Sequence, residues 1–389
     1  MYRKFKADNI FNGYHFLPSG LVLLTDAEGK IADIVQEKDA GTDIEEYNGI
    51  LCPGFINAHC HLELSHLKDH IPQHTGLPQF LIQVIAERNF PEEIIQQAAA
   101  TAANNMYQQG IVAVGDICNT PLTIAEKKRS QLQWYNFAEV TGFQPELAEK
   151  RFSDSLSLYN QFVAEGLKAG IVPHAPYSVS PALFNCINAF QHNPVISIHN
   201  QEAAAENELF MYGNGDLLQL YSRLNMDITF FNPPGKSSLQ AYLPLLQNFS
   251  SLLLVHNVAT SVADIQFLQQ HTNAANIYSC LCPNANLYIT GLLPDVPLLK
   301  KQGCSIVLGT DSLASNHQLS VLDEIKTLHQ YFPEITVEEL LHWGTANGAK
   351  ALGLDAVLGS FEKGKQPAIL LIHNGTTGSV QGSTVKRLL

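Results

Sequence analysis

Eight short apolar runs punctuate the middle of the chain, and most are followed by a stretch whose apolar residues recur at helical spacing. They cover residues 54–59, 111–116, 132–139, 170–174, 195–199, 252–256, 277–282 and 305–311. Runs that stay apolar, rather than alternating with polar residues, suit strands buried on both faces, as in a parallel sheet covered by helices. Eight such strand–helix units predict an α/β fold, the (β/α)8 TIM barrel. The rival, a doubly wound open sheet, lacks its Gly-x-Gly-x-x-Gly after the first strand. Residues 20–25, a turn at Asp26-Ala-Glu-Gly29 and residues 30–35 read as a small β unit, and residues 368–372 as a further strand near the other end. The two termini are expected to share a small β-sandwich. The expected division is 1–52 with 355–389 for the sandwich and 53–354 for the barrel.

The ends of the runs carry the chemistry. Seven of the eight close on His, Asp or Glu, at positions 59, 116, 139, 174, 199, 256 and 311. In a barrel of this kind the C-terminal strand ends and their loops form one face, where active sites are built, so these groups predict a single polar pocket. His59 and His61 lie two apart on a strand, so both imidazoles point the same way and can approach one metal ion, while Cys60 points to the other side. Asp116 reads as structural. The stretches after the first and fifth runs are each roughly fifty residues long, a length expected of lids or binding walls.

Composition narrows the partners. The 389 residues hold 23 Lys+Arg against 36 Asp+Glu, a net charge of −13, with no basic cluster, which excludes nucleic-acid polymers as partners. No apolar run reaches the ~18–20 residues of a membrane span, and the first residues contain no apolar signal core. The seven cysteines form no disulfide framework, and free thiols in a cytoplasmic protein are expected. Fifteen histidines in a chain with only 15% charged residues exceed what solvation requires.

Pro53-Gly-Phe-Ile-Asn-Ala-His-Cys-His-Leu-Glu63 resembles the first-strand signature of the amidohydrolase superfamily. The resemblance continues through Pro173-His-Ala-Pro-Tyr-Ser178, His199-Asn-Gln-Glu202, Val255-His256, Cys282-Pro-Asn-Ala-Asn286 and Gly309-Thr-Asp-Ser312, and covers nearly the whole chain. Within the superfamily the chain is most similar to the metal-dependent deaminase and chlorohydrolase branch, including methylthioadenosine/S-adenosylhomocysteine deaminases and aminodeoxyfutalosine deaminases. The resemblance implies one divalent metal, Zn²⁺ with Fe²⁺ as the alternative, bound by His59, His61, His199 and Asp311. Binuclear members bridge two metals with a fourth-strand Lys, which residues 170–174 lack. It further implies that hydroxide generated on the metal attacks an amino-bearing ring carbon, that Asp311 with His256 takes the water's proton, and that Glu202 protonates the neighbouring ring nitrogen. His174, Glu63 and Glu139 are then substrate contacts, with an adenine-type nucleoside as the small-molecule substrate and a homodimer as the assembly.

The alternatives are another reaction of the same superfamily, on a cyclic C–N or C–Cl bond, and a non-catalytic ligand-binding scaffold. A different zinc-deaminase fold would also use His-x-Glu, present as His61-Leu-Glu63, but it needs a Pro-Cys-x-x-Cys pair that is absent here. Arg88 and Arg151 are expected to be solvated rather than bound to a substrate carboxylate. His66, His70 and His74 are expected at the surface or on a lid.

Overall fold

The computed structural model describes residues 2–270 and 276–389. Four strands open the chain: β1 (Arg3–Ile10), β2 (Leu21–Thr25), β3 (Ile31–Gln36) and β4 (Glu45–Pro53). Eight follow in alternation with helices: β5 (Phe55–Cys60), β6 (Ile111–Cys118), β7 (Gln133–Val140), β8 (Lys168–Pro173), β9 (Val195–Asn200), β10 (Ser251–His256), β11 (Ile277–Leu281) and β12 (Ser305–Leu308). Finally β13 (Ile369–His373) and β14 (Thr384–Arg387) return to the first group. All eight central runs are strands. Every residue of β5, β6, β9, β10 and β11 is buried, which is why those runs are apolar without alternation.

The eight central strands form two four-stranded parallel sheets, ordered β5-β6-β7-β8 and β9-β10-β11-β12. Backbone and side-chain bonds join the sheets along two seams. At β8/β9 the Asn193 side chain accepts from Ile171 N at 2.9 Å, and His199 N donates to His174 O at 2.9 Å. At β12/β5 Thr310 N donates to His59 O at 2.9 Å and Asn57 Nδ2 to Thr310 Oγ1 at 2.7 Å, beside a parallel bridge between Cys60 and Asp311. These seam bonds bring the segments 59–61 and 309–311 side by side.

The termini form one hydrogen-bonded sheet of six strands, β14-β13-β4-β1-β2-β3, in place of the two separate layers of the expected sandwich. Phe5, Leu23, Leu51, Phe361 and Leu371 pack on it. The long stretches after β5 and β9 are helical, containing Leu77–Glu87 and Glu92–Gln108 in the first, and Ala204–Tyr212, Leu217–Arg223 and Ser238–Tyr242 in the second. Lys168 opens β8 at its exposed end, far from the strand end that bears His174. All seven cysteines are unpaired. Among the described residues no helix is long and apolar enough to cross a membrane.

Candidate metal centre and active site

His59 sits inside β5 and His61 one residue beyond its end, and the strand's alternation turns both rings inward. Their Nε2 atoms lie 3.2 Å apart, and His61 Nε2 lies 3.3 Å from His199 Nε2. Asp311 Oδ1 completes the group at 3.3 Å from His61 Nε2 and 3.7 Å from His59 Nε2. A tetrahedral ion with Zn–N bonds of about 2.0–2.1 Å would space its ligand atoms about 3.3 Å apart, so the cage has the size the ion needs. Gly309 permits this approach: a Cβ there would stand 2.8 Å from the His59 Cβ.

The donor set is prepared chemically as well. Burial pushes the pKa of His61 down and that of His199 far down, which keeps ring lone pairs available to a cation. His199 Nδ1 donates to His174 O at 2.8 Å, leaving Nε2 as the ligand atom. Burial alone would raise the pKa of Asp311, but the neighbouring imidazoles of His59, His61 and His256 outweigh it and hold the carboxyl well below its ordinary value. Its Oδ2 accepts from Ser315 Oγ at 2.5 Å, so Oδ1 is free to face the cage.

Two further groups stand beside the cage. His256 Nε2 lies 3.6 Å from Glu202 Oε1. Asn286 Nδ2 donates to His256 Nδ1 at 3.0 Å, so the neutral ring carries its hydrogen on Nε2 and presents a donor. Burial pulls the His256 pKa down to about 3, against the opposing field of Asp311. Burial, followed by the charges of Asp311 and Glu206, pushes the Glu202 carboxyl far above its ordinary value. The raised Glu202 carboxyl thus favours its protonated form, while the His256 ring is neutral at pH 7. Gln201, His256, Asn257 and Asp311 all adopt left-handed backbone, at φ 47°, 79°, 63° and 57°. Each such non-glycine position costs roughly 1–3 kcal/mol, a cost that persists where the surroundings over-determine it, as at active sites.

A cleft of ≈ 1260 Å³, its open mouth included, connects these groups with the helical walls of both long stretches. Glu139, His174 and Glu63 all line it. His174 Nδ1 is paired with Ser178 Oγ at 2.7 Å, which leaves Nε2 for a ligand. Glu139 Oε2 accepts from Asn119 Nδ2 at 3.0 Å, while its buried Oε1 has no partner among the described residues. Glu63 differs from the expectation of a substrate contact. Its two oxygens accept from Asn119 N, Thr120 N and Thr120 Oγ1 at 3.0–3.1 Å and from Arg88 Nη2 at 3.4 Å, so the chain itself saturates the carboxylate. Arg88 and Arg151 both line the cleft, Arg151 remaining exposed to solvent as expected and Arg88 half-buried. His66 is buried rather than on the surface, its two ring nitrogens each 3.1 Å from the carbonyls of Glu63 and Arg88.

Sequence reasoning missed the support beneath the cage. The Lys127 Nζ, fully buried, pairs with Asp116 Oδ2 at 2.5 Å and lies 5.0 Å from the Phe162 ring centre and 5.3 Å from that of Trp134. Asp116 Oδ1 accepts from Leu62 N at 2.7 Å, which ties the ion pair to the residue after His61. Asp116 is thus structural, as its sequence context indicates. Lys127→Met strands a buried carboxylate and is expected to cost about 3–5 kcal/mol, read as a lowered urea midpoint. Full recovery of that midpoint in the Asp116→Asn/Lys127→Met pair is not expected, because Leu62 N then faces a weaker acceptor.

Comparison with known proteins adds four findings. Residues 50–387 match the family described as the Amidohydrolase family. The chain is 28% identical over 314 residues to an adenosine deaminase of Helicobacter pylori, covering 79% of this chain and 75% of that protein. It is 28% identical over 354 residues to a 5-methylthioadenosine/S-adenosylhomocysteine deaminase of Thermococcus onnurineus, covering 84% of this chain and 76% of the other. In three dimensions it resembles the crystal structure of Helicobacter pylori aminofutalosine deaminase in complex with methylthio-coformycin, with a TM-score of 0.82, 22% identity and 100% of both chains covered.

Proposed function

Because the chain belongs to the amidohydrolase family, we propose that it is a metal-dependent hydrolytic deaminase that releases ammonia from the 6-amino group of an adenine-type nucleoside. The observation that carries this reading is the convergence, at one cleft, of three imidazoles and a carboxylate spaced as a metal cage with a buried carboxyl group of raised pKa and a neutral imidazole. The two four-stranded sheets with their seam bonds read as one (β/α)8 barrel over residues 53–354, flanked by the sheet built from 1–52 and 355–389.

His59, His61, His199 and Asp311 would hold one divalent ion, and three imidazoles with one carboxylate suit Zn²⁺. Bound there, the ion supplies a Lewis acid that brings the pKa of water toward neutrality. The chain's own groups do the rest. Asp311, held ionised, accepts the proton of the attacking water. His256 donates from Nε2 to the water's oxygen and orients it, rather than removing its proton, because Asn286 occupies Nδ1. Glu202 protonates the ring nitrogen adjacent to C6, so the adduct forms without charge on the ring. Asp311 then returns its proton to the amino nitrogen, the C6–N bond breaks to release ammonia, and the C6 hydroxyl proton passes to the Glu202 carboxylate as the 6-oxo group forms.

His174 Nε2 and Glu139 Oε1 contact the nucleoside. Glu63 braces the 119–120 loop and orients Arg88 instead of touching substrate. Phe80, Leu81, Val84 and Phe143 give the outer cleft an apolar wall, with Arg88 and Arg151 beside it, which favours a 5′ substituent that is apolar and ends in an anion. The reading is tested by an ammonia-release screen on metal-loaded protein across adenosine analogues differing at the 5′ position. Turnover of at least one, greatest for an apolar arm with a terminal carboxylate, is expected. Release from none of them by fully loaded protein overturns it.

A further inference from the structure

Behind Glu202 lies a second buried acid, Glu206, which exchanges no proton with the substrate in the proposed chemistry but whose charge helps raise the Glu202 pKa. Between the end of β9 and the helix Ala204–Tyr212 the chain must turn sharply enough for His199 and Glu202 both to enter one pocket, and Gln201 makes that turn at φ 47°. Glutamine gains nothing locally from left-handed backbone, unlike glycine or asparagine, so other contacts must hold it there. Those contacts surround it. Its backbone N donates to Glu206 Oε1 at 3.0 Å and its carbonyl accepts from Ala259 N at 2.8 Å. Its side-chain oxygen accepts from Thr260 Oγ1 at 2.7 Å, and its amide donates to Asn207 Oδ1 and Asp264 Oδ2, both at 3.1 Å.

Glu206 is 0% exposed and sits one helical turn beyond Glu202. Its Oε1 accepts from Gln201 N and from Ser238 Oγ, which tethers it to the helix Ser238–Tyr242, and the Glu202 backbone N–H also acts on this carboxyl group. Its other oxygen, buried, has no partner among the described residues. An acid is not needed merely to start this helix, since a short polar cap at residue 203 would serve, and Ala203 stands there instead. The carboxyl group reaches back past the cap position to the two peptide units that aim Glu202.

We propose that Glu206 is a positioning residue for the deamination, clamping the Gln201–Glu202 peptide units so that the Glu202 carboxyl group meets the ring nitrogen. This rests on the reading of the site as a deaminase. Because a single oxygen accepts from both Gln201 N and Ser238 Oγ in either protonation state, a neutral amide can replace the acid, whereas a methyl group cannot.

The test compares Glu206→Gln and Glu206→Ala with wild type, all loaded with zinc, for kcat, KM and metal content on the best substrate of the ammonia screen. Glu206→Gln is expected to keep kcat within about threefold, while Glu206→Ala loses roughly 10–100-fold, part of what a positioned acid contributes, with KM and zinc stoichiometry close to wild type. A role confined to helix stability would lower the melting temperature and leave kcat per folded molecule unchanged. Gln201→Ala, which keeps Glu206 and its bonds but removes three side-chain anchors, is the second variant should Glu206→Ala not fold, and a kcat-selective loss of at least tenfold is expected there. The inference is overturned if the folded alanine variant retains kcat within threefold, if KM or zinc content accounts for the loss, or if the glutamine variant is as impaired as the alanine. Absence of turnover in the wild type would instead overturn the deaminase reading, and this inference with it.

Discussion

Asp311→Ala is expected to abolish turnover and to strip most of the metal from the purified protein. The carboxylate is the only anionic member of a cage whose other three members are neutral imidazoles, so its loss leaves a dication buried without a compensating charge. It is also the proposed acceptor of the water's proton, so two contributions vanish together. Metal assistance alone is worth several kcal/mol of transition-state stabilisation, and at 1.36 kcal/mol per tenfold this predicts a rate below roughly a thousandth of wild type. Asp311→Asn separates the contributions: it preserves shape and the Ser315 contact but not the charge, and is expected to retain more zinc than the alanine variant while remaining inactive. Metal analysis and ammonia release on the same preparations check both statements. An alanine variant with wild-type zinc content and rate would show that the cage is held otherwise.

The positions of the four cage residues and of His256 were legible in the sequence because each belongs to a local pattern. His59 and His61 are fixed by strand alternation, and His199, His256 and Asp311 each close an apolar run whose burial dictates its composition. What the sequence concealed depends on partners far away along the chain. The β1 strand carries Arg3, Lys4 and Lys6 within eight residues and offers no apolar run, yet it pairs with β4 and β2 in the terminal sheet. Lys127 lies in Ile-Ala-Glu-Lys-Lys-Arg129, a segment whose charges suggest a solvated helix, and only the fold places that one ammonium under Asp116. Glu63 carries the signature of a substrate contact, but the backbone amides of residues 119 and 120, brought over from the end of β6, use its oxygens first. Arg88 reaches the cleft by the same folding of the first long stretch. Pattern locates a side chain on an element; competition for its hydrogen bonds is settled between elements.

Glu202→Gln is expected to lower kcat by about 10²–10⁴ while leaving zinc content and KM near wild type. The two side chains have the same shape, and the residue lies outside the cage, so neither ligand geometry nor the cleft walls change. What is lost is the proton. On the proposed reading Glu202 supplies it, since burial in the first place, then the fields of Asp311 and Glu206, raise its pKa well above that of an ordinary glutamic acid. A carboxyl group with a raised pKa is competent below that pKa and loses its proton as the pH rises through it, so wild-type kcat should fall on the alkaline side. The glutamine variant, with nothing to titrate there, should lose that limb and show a flat residual rate. Scaffold-only roles for the residue make the opposite prediction, since an amide that fills the same space would then sustain the rate and leave the alkaline limb in place. A variant within tenfold of wild type that keeps the limb would move the proton donor to another group, with the neutral His256 beside it the nearest candidate at 3.6 Å.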